Sequence, residues 1–449
     1  MKLFGTDGIR GKANVYPITA EMALKLGKAV GIVFRNGKKT KTKIIIGKDT
    51  RLSGYLIESA LVAGLVSVGV DAYLVGPMPT PAVAHLTKSF AADAGIVITA
   101  SHNPYMDNGI KFFDRHGWKI DNETINKIEE LTLQENISTQ NITGDQIGQA
   151  HRIDDARGRY IEFAKNSINN RSLAGIKVVL DCANGAAYNI AKFILKELGA
   201  QVITLNASPN GRNINDNCGA THPELIAKEV INHNANCGIA LDGDADRIVM
   251  VDENGNVLDG DFIIAIAANY LKQTNSLTNN TVIQTVMVNQ GFVSSMNQLG
   301  IKTIQTKVGD KHVLKKMREL GAVLGGEQSG HIAFLEHCTT GDGMITGLKI
   351  LDIMQKTQKP LSELSKVMTK FPQVLINLEV KQKPALESLS TLNQLITNAK
   401  NQLQDTGKVL VRYSGTQMQL RVMVQGQDKE QITILAQEIA DHAKKVINV

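Results

Sequence analysis

Aromatic residues make up only 4% of this 449-residue chain, with a single Trp, which argues against the stacking platforms that hold single-stranded nucleic acid. Cysteine is scarce too. Cys182, Cys218, Cys237 and Cys338 form no C-x-x-C pair, so no disulfide framework is expected and reduced thiols in the cytoplasm are the simpler reading. No run of about 18 apolar residues occurs, so no membrane span is expected, and Met1–Asp7 shows no signal-peptide core. The formal net charge is +6, yet no block of five or six basic residues exists. A nucleic-acid partner is therefore not expected, while a mild positive bias suits small anionic substrates.

What is present is the composition of a soluble globular protein, 43% hydrophobic and 20% charged, long enough for two to four domains. Three stretches read alike: "KIIIGKDTR" with "LIESALVAGLVSVG" and "VDAYLVG"; "IKVVLDCANG" with "AAYNIAKFILKELG" and "AQVITLN"; "TVIQTVMVNQG" with "FVSSMNQLG" and "IKTIQTKVG". Each is a β-branched run, a polar or Gly turn, a helix-period segment stopped by Gly, and a second strand. Such βαβ units imply largely parallel sheets with helices on their faces. Ligands are then expected at the strand carboxyl ends, in the loops after "IIIG", "VVLD" and "VMVN". From about Phe371 the pattern changes to strand, helix, hairpin and amphipathic helix, a small α+β domain. Linkers are expected near Ile147–Arg152, Asp252–Gly260 and Gln358–Pro372.

The sharpest chemical signal is "IALDGDADRIVMVD". Asp242, Asp244 and Asp246 repel one another unless a cation neutralises them, and an all-oxygen set selects Mg²⁺ over zinc. An EF-hand is the rival, but Arg247 stands where Gly is required and strands flank the loop. In "RYSGTQMQLR", Arg412, Ser414, Gly415, Thr416 and Arg421 form either an anion cradle or an ordinary hairpin turn. "GGEQSGH" gathers Glu327, Gln328, Ser329 and His331 between glycines, suited to sugar hydroxyls or simply a polar loop.

"TASHNPYMDNGIKFF" follows an apolar run and breaks into turns at Asn103-Pro104 and Asn108-Gly109. Ser101 reads equally as a nucleophile or as a helix N-cap. His102, its neighbour, does not imply a catalytic pair, since adjacent residues on an extended chain point apart.

Taken in order, "FGTDGIRG", "TASHNPYMDNGIKFF", "DGDADR", "GGEQSGH" and "RYSGT" resemble the five diagnostic segments of the α-D-phosphohexomutase superfamily. "GKDTRLSGY", "GPMPTPAVA", "DCANGAAY" and "TTGDGM" are most similar to its bacterial phosphoglucosamine mutases. The resemblance implies three similar mixed-sheet α/β domains (1–150, 151–254, 255–368) and a TATA-box-binding-protein-like α+β domain (369–449) around a central cleft. It implies an isomerase that interconverts glucosamine 6-phosphate and glucosamine 1-phosphate, feeding UDP-N-acetylglucosamine and cell-wall precursor synthesis. Ser101 becomes a phosphoserine, and glucosamine 1,6-bisphosphate the intermediate.

The same resemblance assigns Mg²⁺ to Asp242, Asp244, Asp246 and a phosphoserine oxygen of Ser101. It makes Lys111, Arg10, His102 and His331 the acid–base candidates, Lys111 first if neighbouring cations lower its pKa. Arg247 contacts the transferring phosphoryl group, and Glu327 and Ser329 hold sugar hydroxyls beside Gly309 and Asp310 of "KVGDKHV". Arg412, Ser414, Gly415, Thr416 and Arg421 grip the other phosphate. The expected partner is a small phosphosugar, with a homodimer allowed and neither nucleic acid nor membrane involved. Two departures stand out: Ala245 replaces a common Gly, tolerable only without positive φ, and Gln417-Met418 replace Glu-Pro after Thr416. The rival activities are phosphoglucomutase or phosphomannomutase, and, from another class, a phosphoserine-dependent phosphatase.

Overall fold

The computed structural model describes residues 3–5, 7–35, 41–137, 142–414 and 418–447. The chain divides into two compact units, 1–286 with 304–365, and 287–303 with 366–449.

The first unit holds three sheets. In the first, β1 (Ile9–Lys12), β2 (Thr42–Lys48), β3 (Val70–Pro77), β4 (Ala94–Ile98), β5 (Asp107–Asp114) and β6 (Ala150–Arg152) lie in the order β1-β5-β4-β2-β3-β6. β2, β3, β4 and β6 are parallel, while β5 runs antiparallel to both β4 and β1. The second contains β7 (Lys177–Asp181), β8 (Gln201–Leu205), β9 (Cys237–Leu241), β10 (Ile248–Asp252) and β11 (Val257–Leu258), ordered β11-β10-β9-β7-β8. The third is ordered β13-β12-β14-β15, from β12 (Thr281–Thr285), β13 (Lys302–Thr306), β14 (Leu324–Gly326) and β15 (Ile332–Phe334).

The three βαβ expectations hold at β2–β3, β7–β8 and β12–β13. The apolar runs are fully buried where helices cover both faces: Ile44, Ile45 and Ile46 are at 0% exposure, as are Val178, Val179 and Leu180, as expected of parallel strands.

The position of the chemistry differs from expectation. In every sheet the motif-bearing loop leaves the next parallel strand and returns as an antiparallel one: β4 to β5, β9 to β10, β14 to β15. Residues 99–106, 242–247 and 327–331 are these hairpin connections. A hairpin leaves both loop ends hydrogen-bonded, so its tip is held more tightly than a strand-to-helix crossover. Two expected linkers also contribute strands. Ala150–Arg152 pairs with β3, and Val257–Leu258 pairs with β10, so these segments cover sheet edges.

The second unit is an antiparallel sheet, β16 (Gln373–Glu379), β17 (Gly407–Tyr413) and β18 (Gln419–Gly426), ordered β16-β18-β17. Helices Ser390–Leu403 and Lys429–Ile447 bury Leu392, Val422, Val424, Ile432 and Ile439 against it. This is the expected α+β pattern. Among the described residues no helix is long and apolar enough to cross a membrane.

Candidate active site

Ser101 follows β4, buried to 1%, with φ of 54°. It starts no helix, so the N-cap reading falls. A left-handed backbone at a non-Gly residue costs roughly 1 kcal/mol or more and persists only where surroundings over-determine it. Here they do. The Ser101 N–H donates to Thr99 Oγ1 (2.9 Å), and its carbonyl accepts from Arg51 Nη2 and Asn215 Nδ2, both at 2.9 Å. Arg51 is fully buried and also donates to the carbonyls of Asn103 (2.8 Å), Asp107 (3.1 Å) and Pro104, while its Nε binds Asp49 (2.8 Å). One guanidinium thus ties down the whole turn.

The hydroxyl points at the acidic loop: Ser101 Oγ donates to Asp242 Oδ2 at 2.8 Å. Asp242, Asp244 and Asp246 are at most 3% exposed, and each offers a carboxylate oxygen within 4.8 Å of the others'. Flanking β9 and β10 confirm that this is no EF-hand. The loop approaches Ser101 closely because residue 243 is Gly; a Cβ there would lie 2.6 Å from the Ser101 carbonyl. Ala245 has φ of 56°, so the condition set for tolerating it over Gly is not met. The strain is held by hydrogen bonds: Ala245 N–H to the Asp242 carbonyl (3.0 Å), and Gly343 N–H to the Ala245 carbonyl (3.0 Å). Asp244 Oδ1 and Asp246 Oδ1 are buried and accept no hydrogen bond. Buried carboxylate oxygens left open in one cluster suit a hard divalent cation.

Burial, then the charges of Asp244 and Asp246, push the Asp242 carboxyl well up. Burial acts the same way on Asp246, but Lys111, His331 and Arg247 outweigh it and hold it at about 2. Lys111, on β5 opposite Val97, reaches Asp244 (2.8 Å), Asp246 (2.9 Å) and Asp7 (3.4 Å). Burial favours the neutral amine, yet these three carboxylates raise its pKa well above the ordinary value. The expectation that cations would lower it is reversed. Carboxylates, not cations, are its nearest neighbours, and Lys111 is a fixed positive charge.

His102 Nδ1 lies 3.4 Å from Ser101 Oγ. Burial, with help from Arg247 and Arg10, lowers it to about 4, so the imidazole is neutral. His331 sits at the start of the returning hairpin, bridged to Arg247, with Nε2 at 3.2 Å from Asp310 and 3.9 Å from Asp246. Arg10, on β1 beside β5, pairs with Asp7 at 2.7 Å. Glu327 Oε1 accepts from the Gly309 N–H (3.0 Å), joining the "GGEQSGH" and "KVGDKHV" loops. Ser329 is exposed at the tip of the same turn.

Sequence reasoning overlooked the supports. Thr80 Oγ1 donates to Asp244 at 2.6 Å, Lys119 bridges Asp7 and Asp310, and Asp49 and Arg51 cradle the Ser101 turn. Arg51 and Thr80 stand in "GKDTR" and "GPMPTP"; the first lies in the loop after "IIIG", where a ligand is expected, and the second is quoted for likeness alone.

In the second unit, Arg412 and Arg421 are direct cross-strand partners on β17 and β18. Burial and the Arg421 charge both lower the Arg412 pKa. Like charges placed opposite one another are unfavourable without an anion. The Ser414 N–H donates to the Gln419 carbonyl (2.8 Å), and Lys383 Nζ donates to the Ser414 carbonyl (2.7 Å). Gly415 and Thr416, with Gln417, lie outside the described residues.

Four family models match in succession: phosphoglucomutase/phosphomannomutase alpha/beta/alpha domain I (1–138), domain II (158–255), domain III (259–371) and the C-terminal domain (375–442). The phosphoglucosamine mutase of Syntrophotalea carbinolica is 51% identical over 449 residues, covering 100% of this chain and 98% of that protein. That of Geobacter metallireducens is 52% identical over 447 residues, covering 99% of each. A crystal structure of a phosphoglucomutase/phosphomannomutase family protein from Burkholderia thailandensis superposes with a TM-score of 0.80 at 24% identity, over 99% of this chain and 97% of the other. The N-acetylphosphoglucosamine mutase of Aspergillus fumigatus, solved with GlcNAc-6P and magnesium, gives 0.67 at 17% identity, over 99% and 96%. At those identities the structures speak for the fold, and the curated sequences for the family: the chain belongs to the phosphoglucosamine mutases of the phosphohexomutase superfamily.

Proposed function

We propose that the chain interconverts glucosamine 6-phosphate and glucosamine 1-phosphate, with Ser101 carrying the transferable phosphoryl group. The observation behind this is the Ser101 hydroxyl at 2.8 Å from a buried three-carboxylate loop. A carboxylate cluster is an unfavourable neighbour for a phosphoryl group unless a cation lies between them. Asp242, Asp244 and Asp246 would hold Mg²⁺, which when bound neutralises charge on the phosphoryl oxygens.

The chain's own groups supply the rest. Arg51 and Asn215 fix the Ser101 backbone, so the hydroxyl oxygen stays in line with its acceptor. Lys111 keeps a positive charge beside the carboxylates, and Arg247 faces the same group. The phosphoryl leaves Ser101 Oγ for O1 of glucosamine 6-phosphate, breaking one P–O bond and forming another. The O1 hydroxyl gives up its proton, and Ser101 Oγ takes one. Lys111, Arg10, His102 and His331 are the groups placed to carry that proton, with His102 Nδ1 lying 3.4 Å from Oγ. The product is glucosamine 1,6-bisphosphate, which reorients and returns its 6-phosphoryl to Ser101. Glu327, Ser329, Gly309 and Asp310 hold sugar hydroxyls in both orientations, and Arg412, Ser414, Gly415, Thr416 and Arg421 hold the idle phosphate.

Intact mass and a mutase assay with Mg²⁺ and bisphosphate test this on native chain and Ser101→Ala. The native chain is expected to show a phosphate adduct of about 80 Da, with adduct and activity both lost in the variant. Survival of both would sink the mechanism. Equal turnover of glucose 1-phosphate and glucosamine 1-phosphate would remove the amino-sugar assignment while leaving the phosphoserine intact.

A further inference from the structure

We propose that Thr80 is a positioning residue for the cation site, fixing the orientation of the Asp244 carboxylate; this rests on the metal reading above. Three segments outside the acidic loop converge on it. The Ala186 N–H of "DCANGAAY" donates to the Gly243 carbonyl at 2.8 Å, and the Thr80 N–H of "GPMPTPAVA" to the Asp244 carbonyl at 2.9 Å. The Gly343 N–H of "TTGDGM" donates to the Ala245 carbonyl at 3.0 Å. Three consecutive carbonyls are thus engaged by protein donors, and carboxylates are what the loop presents to a cation.

Of the three donors only Thr80 also reaches a carboxylate. It is fully buried and opens the helix Thr80–Ser89 behind Pro79. Its Oγ1 donates to Asp244 Oδ2 at 2.6 Å, and Lys111 Nζ reaches the same oxygen at 2.8 Å. Oδ1 of Asp244 accepts no hydrogen bond, so it is the oxygen left for the cation. Lysine supplies a point charge on a long flexible stem and does not set the plane of a carboxylate. A short buried hydroxyl, anchored by its own backbone N–H to the same residue, does. Partners that orient a ligating group in this way are worth roughly 10–100-fold in metal affinity.

The grip crosses a domain boundary. Thr80 lies in the segment matched by domain I, residues 1–138, and Asp244 in that matched by domain II, residues 158–255. Asn215 spans the same boundary to the Ser101 carbonyl at 2.9 Å. Cation affinity and the Ser101 turn therefore depend on one docking of the two domains.

The test is Mg²⁺ affinity on the full chain, read by competition against paramagnetic Mn²⁺, with the phosphate load of each sample matched by intact mass. Thr80→Val keeps the backbone N–H and the branched shape but removes the hydroxyl. It is expected to weaken Mg²⁺ about tenfold or more, with Thr80→Ala matching it and Thr80→Ser recovering most of the loss. The Mg²⁺ concentration for half-maximal turnover should rise by the same factor, while KM for glucosamine 6-phosphate at saturating Mg²⁺ stays constant. Native Mg²⁺ affinity in Thr80→Val and Thr80→Ala, or a loss that Thr80→Ser does not restore, overturns the role of Thr80 and leaves the carboxylate site standing. A native chain that takes up no Mg²⁺ overturns the metal reading as well.

Discussion

The Ser101 and Asp242–Arg247 loops and the Arg412–Arg421 hairpin all handle phosphate in the proposed cycle, but they are built differently. Around Ser101 the polar groups are buried, the backbone is left-handed at Ser101 and Ala245, and long-range hydrogen bonds hold both. The hairpin keeps an unbroken antiparallel register from Gly407–Gly426 to Tyr413–Leu420 and presents two arginines from a regular sheet. The first is suited to placing a reacting atom, the second to gripping a group that must let go and be regrasped. Positioning needs a rigid, water-poor site; repeated binding does not.

The largest expected effect that bears on this contrast is at the nucleophile. Ser101→Ala should lower mutase activity by about four orders of magnitude or more, with an unchanged melting temperature. Retained activity would dissolve the contrast. Next is Lys111→Met, which strips the counter-charge from three carboxylates. It should destabilise the metal-free chain by about 3 kcal/mol, read by denaturant unfolding, with much of the loss restored by Mg²⁺. No rescue by Mg²⁺ would argue against a cation site on the triad.

A comparable effect is tied to pH. Asp342 caps the helix Gly343–Thr357 and accepts from the buried Tyr160 hydroxyl at 2.9 Å. Burial raises its carboxyl to about 6, with a further push from Asp246 and opposition from its hydrogen bonds to Ile345, Tyr160 and Met344. Between an unfolded value near 3.8 and the folded one, the folded chain binds the extra proton. The Asp342 contribution therefore falls as pH rises through that window, by roughly 3 kcal/mol at most. Asp342→Asn should flatten that slope in unfolding curves taken from pH 4 to pH 6.

For the gripping hairpin, Arg412→Gln should raise KM about tenfold while kcat changes less, since it removes binding common to ground and transition states. A fall in kcat with constant KM would place Arg412 with the positioning machinery instead. The smallest effect is at Ala245→Gly. Relief of left-handed strain offsets the lost buried methyl, so stability should move by less than about 0.5 kcal/mol. A much larger drop would show that the surrounding contacts, not φ, define that position.

Much of the site was legible because its residues are chemically odd where they stand. Three alternating aspartates between apolar runs conflict with local burial and so announce function, whereas Ser101 stays even between nucleophile and N-cap until the family resemblance enters. The supports were less legible for the same reason inverted. Arg51, Thr80 and Asn215 look like ordinary turn residues until residues 50 to 164 positions away are brought against them. The reading of Lys111 failed in sign because sequence lists its charged neighbours without their distances.

By itself, then, the sequence determined the strand–helix alternation, the separate character of the C-terminal domain and the identity of the acidic loop, all of which rest on short-range periodicity and residue chemistry. Tertiary structure alone decided that the reactive loops leave β4, β9 and β14, that Ser101 and Ala245 are left-handed, and that Lys111 is a locked cation. Those outcomes depend on strand pairing and on charges separated by about 3 Å in space but by more than a hundred residues in chain, and Coulomb energy follows the distance.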